Sequence, residues 1–329
     1  MPAGKKVIAS NGFTERQDMM QRRQFLSRTS GTLALGALAA TAGWPGLSMG
    51  GNNMPSKLRN VGLQLSTVTP LMMKDFEGTL ARVGEIGYTE VEFSALGHLG
   101  RPTNYIQQLL QQNNLTAPVG RISPQLPPNF PTMTTQEAFA LFREKGKPEY
   151  LLENVRHSLD IALEMGQQYL NLPALMPDNF GSADQVKRNI ERLNEAGALC
   201  AEAGVLFGYH NHDWELKEVD GIIPYELMLE QTEPGNVAFQ IDAYWIVKGG
   251  GSLEDYLTRH AGRFPSCHMK DIDASGDFED VGYGQIDFPA FTRLAVEQGA
   301  KHFFVERDNP PDPAKAIVRS YAYLSEMTY

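Results

Sequence analysis

Four short stretches of this chain carry ionisable residues at a period of two. "FGYHNH" closes on His210 and His212, and "AFQID" sets Gln240 beside Asp242 in parity. "SCHMKD" alternates His268 and Lys270 with Cys267 and Met269, and "FFVERD" alternates Phe304 and Glu306 with Phe303 and Val305. Alternate side chains of a β-strand share a face, so each stretch would deliver its polar groups to one side. A histidine, an aspartate, a second histidine and a glutamate make a mixed nitrogen and oxygen donor set. Such a set suits one divalent cation of the manganese, cobalt, zinc or magnesium kind. Gathering these groups without a cation is costly, because each charge loses its hydration. Salt bridges at a rim are the other use for them, and His210 and His212 taken alone read more readily as satisfied loop histidines.

The elements around these stretches say where they end up. From Val61 onward, short apolar runs alternate with longer amphipathic ones. Strand candidates are Val61–Leu65, Glu90–Ser94, Ala117–Ser123, Tyr169–Ala174, Leu206–His212, Ala238–Trp245, Ser266–Asp273 and His302–Asp308. Between them lie helical patterns. "DFEGTLARVGEIG" places Phe76, Leu80, Val83 and Ile86 on one stripe with Gly87 as the stop, and Ser182 is an N-cap for the run ending at Gly204. Eight strands each followed by a helix predict an α/β fold, a (β/α)₈ TIM barrel forming a single domain over residues 61–329. A doubly wound sheet would need a Gly-rich phosphate loop after the first strand, and "QLSTVTP" is not one. Active sites of TIM barrels lie at the C-terminal ends of the strands, where all four stretches finish. "PQLPPNFPTMTTQEAF", Pro124–Phe139, is too rich in proline for a strand or helix and reads as a long loop at that mouth.

Bulk properties narrow the function. The 329-residue chain carries a net charge of -10, which repels phosphate backbones and argues against nucleic acid as a partner. Two cysteines, Cys200 in a helical pattern and Cys267 in a strand, make no disulfide framework and read as small buried apolar residues. The N-terminal residues 1–42 look like a signal. Arg22 and Arg23 precede a weakly apolar run from Gly31 to Ala42, and Ala40 and Ala42 make an A-x-A-like cleavage site. The R-R-x-F-L pattern resembles the twin-arginine export signal, which predicts a periplasmic protein with residues 43–60 as a linker. The apolar run is too short and too rich in Gly, Ala and Thr to span a bilayer stably, so no membrane span is expected in the mature protein.

Strands ending in "QIDAYW", "CHMKD" and "FVERD", with the opening "VGLQLSTV" and the segment "VGYGQIDFPAF", resemble the xylose-isomerase-like sugar isomerases and epimerases over Val61 to Leu324. The resemblance implies a TIM barrel holding one divalent metal at the ends of its last four strands. Carried onto matching positions, it makes Asp242, His268 and Glu306 ligands. The fourth family ligand is a glutamate in an E-N-H pattern, and here His210 stands in its place. In this family the two glutamates also move protons on opposite faces of the substrate, an exchange that one glutamate and one imidazole cannot repeat as written. Trp245 stands where a histidine often follows the aspartate, and its indole offers a platform for a sugar face.

The remaining assignments rest on position. Glu306, His210, Lys270 and Glu92 are the catalytic candidates. Lys270 could act as an acid or stabilise an oxyanion, and Glu92 on the second strand could act as a base. Each reads as well as a rim or core-edge ion pair. His212, Trp245 and Gln64 are candidates for touching substrate, with His212 a neighbour of the ligands rather than one of them. Asp271 and Arg307, of outward parity, could orient ligands from behind. The resulting expectation is a metal-dependent isomerase or epimerase that works through an enediolate on a non-phosphorylated carbohydrate. A lyase that eliminates across a 3-keto-glycoside and a sugar-binding barrel without turnover are the alternatives. The partner is a small carbohydrate, and the sequence is compatible with a homo-oligomer.

Overall fold

A computed structural model of the chain describes residues 56–329 apart from 128, 131, 132 and 134, and the side chains of 135 and 139. The signal and most of the linker expected from the sequence lie outside these residues. Eight parallel strands build the barrel: β1 (Gly62–Gln64), β2 (Glu90–Glu92), β3 (Val119–Arg121), β4 (Tyr169–Leu172), β5 (Leu206–His210), β6 (Val237–Asp242), β7 (Ser266–Met269) and β10 (His302–Val305). Their order is β2-β1-β10-β7-β6-β5-β4-β3. The ring closes between β2 and β3 through a bridge from Glu90 to Thr116 rather than a full ladder. There Val91 N–H donates to Thr116 O at 2.8 Å, and Thr116 N–H donates back to Thr89 O at 3.0 Å. A separate antiparallel hairpin, β8 (Asp271–Ile272) with β9 (Phe278–Glu279), stands beyond β7.

The helices follow the patterning. Phe76–Ile86 is capped by the Asp75 carboxylate, which accepts from Gly78 N–H, and stops at Gly87, whose φ of 117° no side chain tolerates easily. Ser182 caps the helix Ala183–Glu202 by accepting from Gln185 N–H. The apolar stripes of these helices pack on the outside of the barrel, and Leu63, Val91, Phe207, Phe239 and Ile241 are buried in one continuous core.

Two predicted elements differ. Most strands are shorter than their apolar runs, because the residues past the last ladder bond turn into the mouth. Ala243–Lys248 is therefore a short helix, capped by Asp242, and Trp245 rides on it rather than on β6. The last five residues of the proline-rich segment are not loop either. Once clear of its prolines the chain forms the helix Thr135–Lys145. Cys200 and Cys267 are free and buried, as their patterns implied.

Candidate metal centre

His210, Asp242, His268 and Glu306 meet at the C-terminal ends of β5, β6, β7 and β10. One potential ligand atom from each lies within 4.8 Å of every other, and all four residues are buried. The chain reaches this arrangement by register: His210 pairs with Gln240, Asp242 with His268, and Phe304 with His268. Glu306 follows directly on β10.

Each side chain is held in orientation by neighbours. Asp242 uses Oδ1 to cap its helix, accepting from Trp245 N–H at 3.0 Å. Its Oδ2 is buried without a hydrogen-bond partner. The nearest groups to that oxygen are His210 Nε2 and His268 Nδ1, both at 3.8 Å, and Lys270 Nζ at 4.0 Å. His210 is fixed by Gln240, whose Oε1 accepts from Nδ1–H at 3.1 Å. Gln240 cannot flip, because the same oxygen accepts from Arg121 Nη1 at 2.9 Å while its Nε2 donates to Glu92. His210 thus carries its proton on Nδ1 and presents the Nε2 lone pair towards Asp242. Burial, helped by His268 and Arg121, holds its pKa well below the ordinary histidine value, so the ring is neutral.

His268 stands between two carboxylates, with Nδ1 2.7 Å from Glu306 Oε2 and Nε2 2.7 Å from Glu92 Oε2. Burial opposes its charge, but Glu306 and Glu92 outweigh burial and raise its pKa to about 9. Glu306 Oε1 accepts from Ser66 Oγ–H at 2.8 Å, and Lys270 Nζ donates to Oε2 at 3.2 Å and to Asp308 Oδ2 at 2.6 Å. Burial works to raise the Glu306 pKa, yet Lys270 and His268 hold it well below the usual carboxylate range. Lys270 is raised further, because Glu306, Asp242 and Asp308 overcome its burial.

This donor set fits a divalent cation. Ligand atoms that sit about 2.1 Å from a common ion stand about 3–4 Å apart, and the unpartnered Asp242 oxygen has two imidazole nitrogens at that spacing. The bare carboxylates rely on the His268 proton and the Lys270 ammonium for charge, so a cation would take over part of that task. Asp242, His210 Nε2, His268 Nδ1 and Glu306 could hold it, with the second nitrogen of each imidazole anchored on Gln240 or Glu92.

The other predicted site residues fall around this cluster. Glu92 is fully buried at the end of β2, with Arg121 Nη1 3.3 Å away; burial would raise its pKa, but Arg121 and His268 hold it below the usual value. It contacts His268 at Nε2, the ring nitrogen that does not face Glu306. His212 lies past the end of β5, stacked on Trp214 with ring centres 4.2 Å apart and its Nδ1 unpartnered. Trp245 lies 5.1 Å from His212 and also 5.1 Å from the Lys270 ammonium, which Phe278 and Tyr244 flank too. Gln64 is buried, its Oε1 accepting from Ser66 N–H at 3.1 Å and its Nε2 unpartnered.

Asp271 and Arg307 are elsewhere. Asp271 accepts from the N–H groups of Gly282, Gly284 and Ile286, and Arg307 pairs with Asp280 and Glu279, so both brace the segment between β9 and β10. Sequence reasoning missed Ser66, Arg121, Asp308 and the anchoring role of Gln240. The parity of Gln240 with Asp242 was the available signal for the last. Between the two histidines, Asn211 Oδ1 accepts from Asp242 N–H at 2.9 Å and ties β5 to β6.

Across the mouth from the ligands lies a cavity of about 450 Å³ lined by residues that follow β1 to β4 and by the helices Thr135–Lys145 and Leu151–Met165. Ser66, Gln64 and Arg121 belong both to its wall and to the network around the ligands. No helix among the described residues is long and apolar enough to cross a membrane.

Comparison with known proteins agrees with this architecture. Inosose dehydratase of Geobacillus thermodenitrificans is 26% identical over 160 residues, covering 42% of this chain and 53% of that protein. The inosose dehydratase of Clostridium perfringens is 25% identical over 167 residues, 44% of this chain and 56% of its own. The chain thus matches about half the length of these curated relatives. Among solved structures, a sugar phosphate isomerase/epimerase from Parabacteroides distasonis superposes with a TM-score of 0.66 at 24% identity, covering 82% of this chain and 94% of that one. The 3-keto-D-glucoside 4-epimerase of E. coli superposes with a TM-score of 0.58 at 15% identity, over 80% and 98%. At these identities the two structures speak for the fold. The profile of the xylose isomerase-like TIM barrel matches residues 80–327, and the chain belongs to that family.

Proposed function

We propose that this chain is a divalent-metal-dependent carbon–oxygen lyase. It would remove a proton beside the carbonyl of a keto-sugar or keto-cyclitol and expel the oxygen substituent on the next carbon. The observation that carries this reading is the state of His210. Its Nδ1 proton is committed to Gln240 and its Nε2 lone pair faces the ligand cluster, so it has no free site for moving a second proton. Of the two carboxylates in the ligand set, Asp242 spends Oδ1 on a helix cap and turns its unpartnered Oδ2 towards both imidazoles as a ligand, which leaves the base role to Glu306. Epimerisation needs a proton removed from one face and returned to the other; elimination needs one face only.

A divalent ion held by Asp242, His210, His268 and Glu306 would supply positive charge for the developing oxyanion. Glu306, kept charged by Lys270 and His268, takes the proton from carbon. The electron pair forms the new double bond, the carbon–oxygen bond breaks, and the same carboxyl returns its proton to the departing oxygen as water or alcohol. Glu92 and Gln240 hold the two imidazoles in place, and Lys270 with Asp308 steadies Glu306. The substrate is non-phosphorylated on this reading, because the two arginines lining the cavity are already paired, Arg121 with Glu92 and Arg143 with Asp178. The inosose dehydratase relatives support a dehydratase-like reaction.

The test is proton NMR in deuterated water with the manganese-loaded protein and a 3-keto-β-glucoside. Release of the alcohol with an unsaturated sugar is expected. Deuterium entering recovered or epimerised sugar without release would overturn the lyase reading in favour of an epimerase.

A further inference from the structure

The cavity opposite the ligands is chemically unlike them. Most of its exposed surface is apolar, supplied by residues such as Leu96, Ile122, Phe142, Leu172, Ala174 and Met176. A free sugar, with a hydroxyl on nearly every carbon, would strand those hydroxyls against such a wall. Thr69, Ser94, Asn154 and Arg143 also line it, Arg143 being paired with Asp178, and the lining residues bonded to the ligands' network are Ser66 and Arg121. Ser66 reaches Glu306, Arg121 reaches Glu92 and Gln240, and Gln64 is a fully buried amide. Because Ser66 N–H fixes Gln64 Oε1, the free Gln64 Nε2 is a donor lacking an acceptor. The mouth therefore has a polar end at the ligand cluster and an apolar end beside β2 to β4, joined through Ser66 and Arg121.

We infer that this cavity is the subsite for the leaving group, and that the enzyme takes glycosides of apolar alcohols rather than free keto-sugars. The inference rests on the lyase reading. The keto-sugar ring lies over the ligand cluster, beside Ser66 and Arg121. The aglycone lies against Leu96, Ile122 and Phe142. A volume of about 450 Å³ holds a six-membered carbon ring with room beyond it. The alcohol, once protonated, stays in a pocket it suits, and water has little to bond with there.

Two 3-keto-β-glucosides with alcohols of similar acidity, the cyclohexylmethyl and the methyl derivative, separate leaving-group chemistry from fit. Calorimetry with the corresponding unoxidised β-glucosides, which lack the carbonyl that acidifies the neighbouring C–H and so do not eliminate, reads the cavity without turnover. Apolar burial of the ring is expected to tighten binding and lower KM by at least about tenfold. Ala174→Trp, which fills the cavity from its wall, is expected to bring the ratio between the two ligands close to one, with its melting temperature showing that it folds. Equal binding of the two ligands by the unmodified protein would overturn the inference and leave the lyase reading to its deuterium test. A preference that survives Ala174→Trp would also overturn it. A strong preference with no release of alcohol from either glycoside would uphold the cavity's role and refute the lyase.

Discussion

Glu92→Gln tests whether the carboxylate at His268 Nε2 matters to the metal. In the native protein Glu92 Oε2 lies 2.7 Å from His268 Nε2, its shortest contact, with Gln240 Nε2 at 3.2 Å and Arg121 at 3.3 Å. Glutamine keeps an oxygen that can accept from Nε2–H, so the imidazole stays oriented, but the negative charge that makes it a stronger donor to the ion is gone. Losing such a partner typically weakens a metal site by about 10–100-fold, or about 1.4–2.7 kcal/mol. Arg121 already neutralises part of the charge, which places the expectation near the lower end, about tenfold. The substitution also leaves Arg121, 8% exposed in its side chain, without its carboxylate. Breaking a buried pair outright costs about 3–5 kcal/mol, and the retained amide oxygen should reduce that to about 2. Competition between the protein and a fluorescent chelator for manganese reads the first effect, and thermal unfolding of the metal-free protein reads the second. A metal affinity within twofold of wild type, in a variant that shows the loss of stability, would refute the argument that Glu92 acts through His268.

Other expectations follow from the same contacts. His268→Ala should bind less than about a tenth of the manganese that wild type retains after desalting, measured by elemental analysis, since it removes a ligand outright. His210→Glu should keep the metal and begin to place deuterium in recovered keto-sugar, and an unchanged exchange rate would sink the role given to His210. Cys200, whose thiol burial pushes up to about 12, and Cys267, raised by the same cause, should give no reaction with a disulfide reagent until the protein is unfolded. His98 is held down to about 4 by burial, so the unfolded chain takes up its proton first as pH falls. Its contribution is complete above about pH 6.5 and is lost between there and pH 4, about 3 kcal/mol at most. Chemical denaturation should show His98→Gln losing less stability than wild type over that window.

Much of this molecule can be read from residue patterns, and the exceptions have physical causes. Short apolar runs mark all eight barrel strands, because each strand is buried on one face by the helices and on the other by the barrel interior. The runs extend past the strand ends, because the ligand residues keep a period of two after the ladder stops. Trp245 was placed on a strand for that reason, though Asp242 turns the chain into a helix with its own side chain. Parity brought His210, Asp242, His268 and Glu306 to one mouth without need of coordinates. It could not say that Glu92 would meet His268 at Nε2, since strand tilt decides which inward residues meet across the barrel. Ser66 and Arg121 were illegible, because a serine after a strand and an arginine within one have many uses.

The mouth is split by chain order: the residues after β1 to β4 make the apolar cavity, and those at the ends of β5 to β10 gather the donors. Because the halves come from separate stretches of sequence, a lineage could alter one while inheriting the other intact. Changes before about residue 180 would retune which molecule is accepted, and changes after about residue 205 would alter what is done to it. Ser66, Glu92 and Arg121 are the exceptions, first-half residues bonded into the second half's network, and so the positions where the two histories must stay in step.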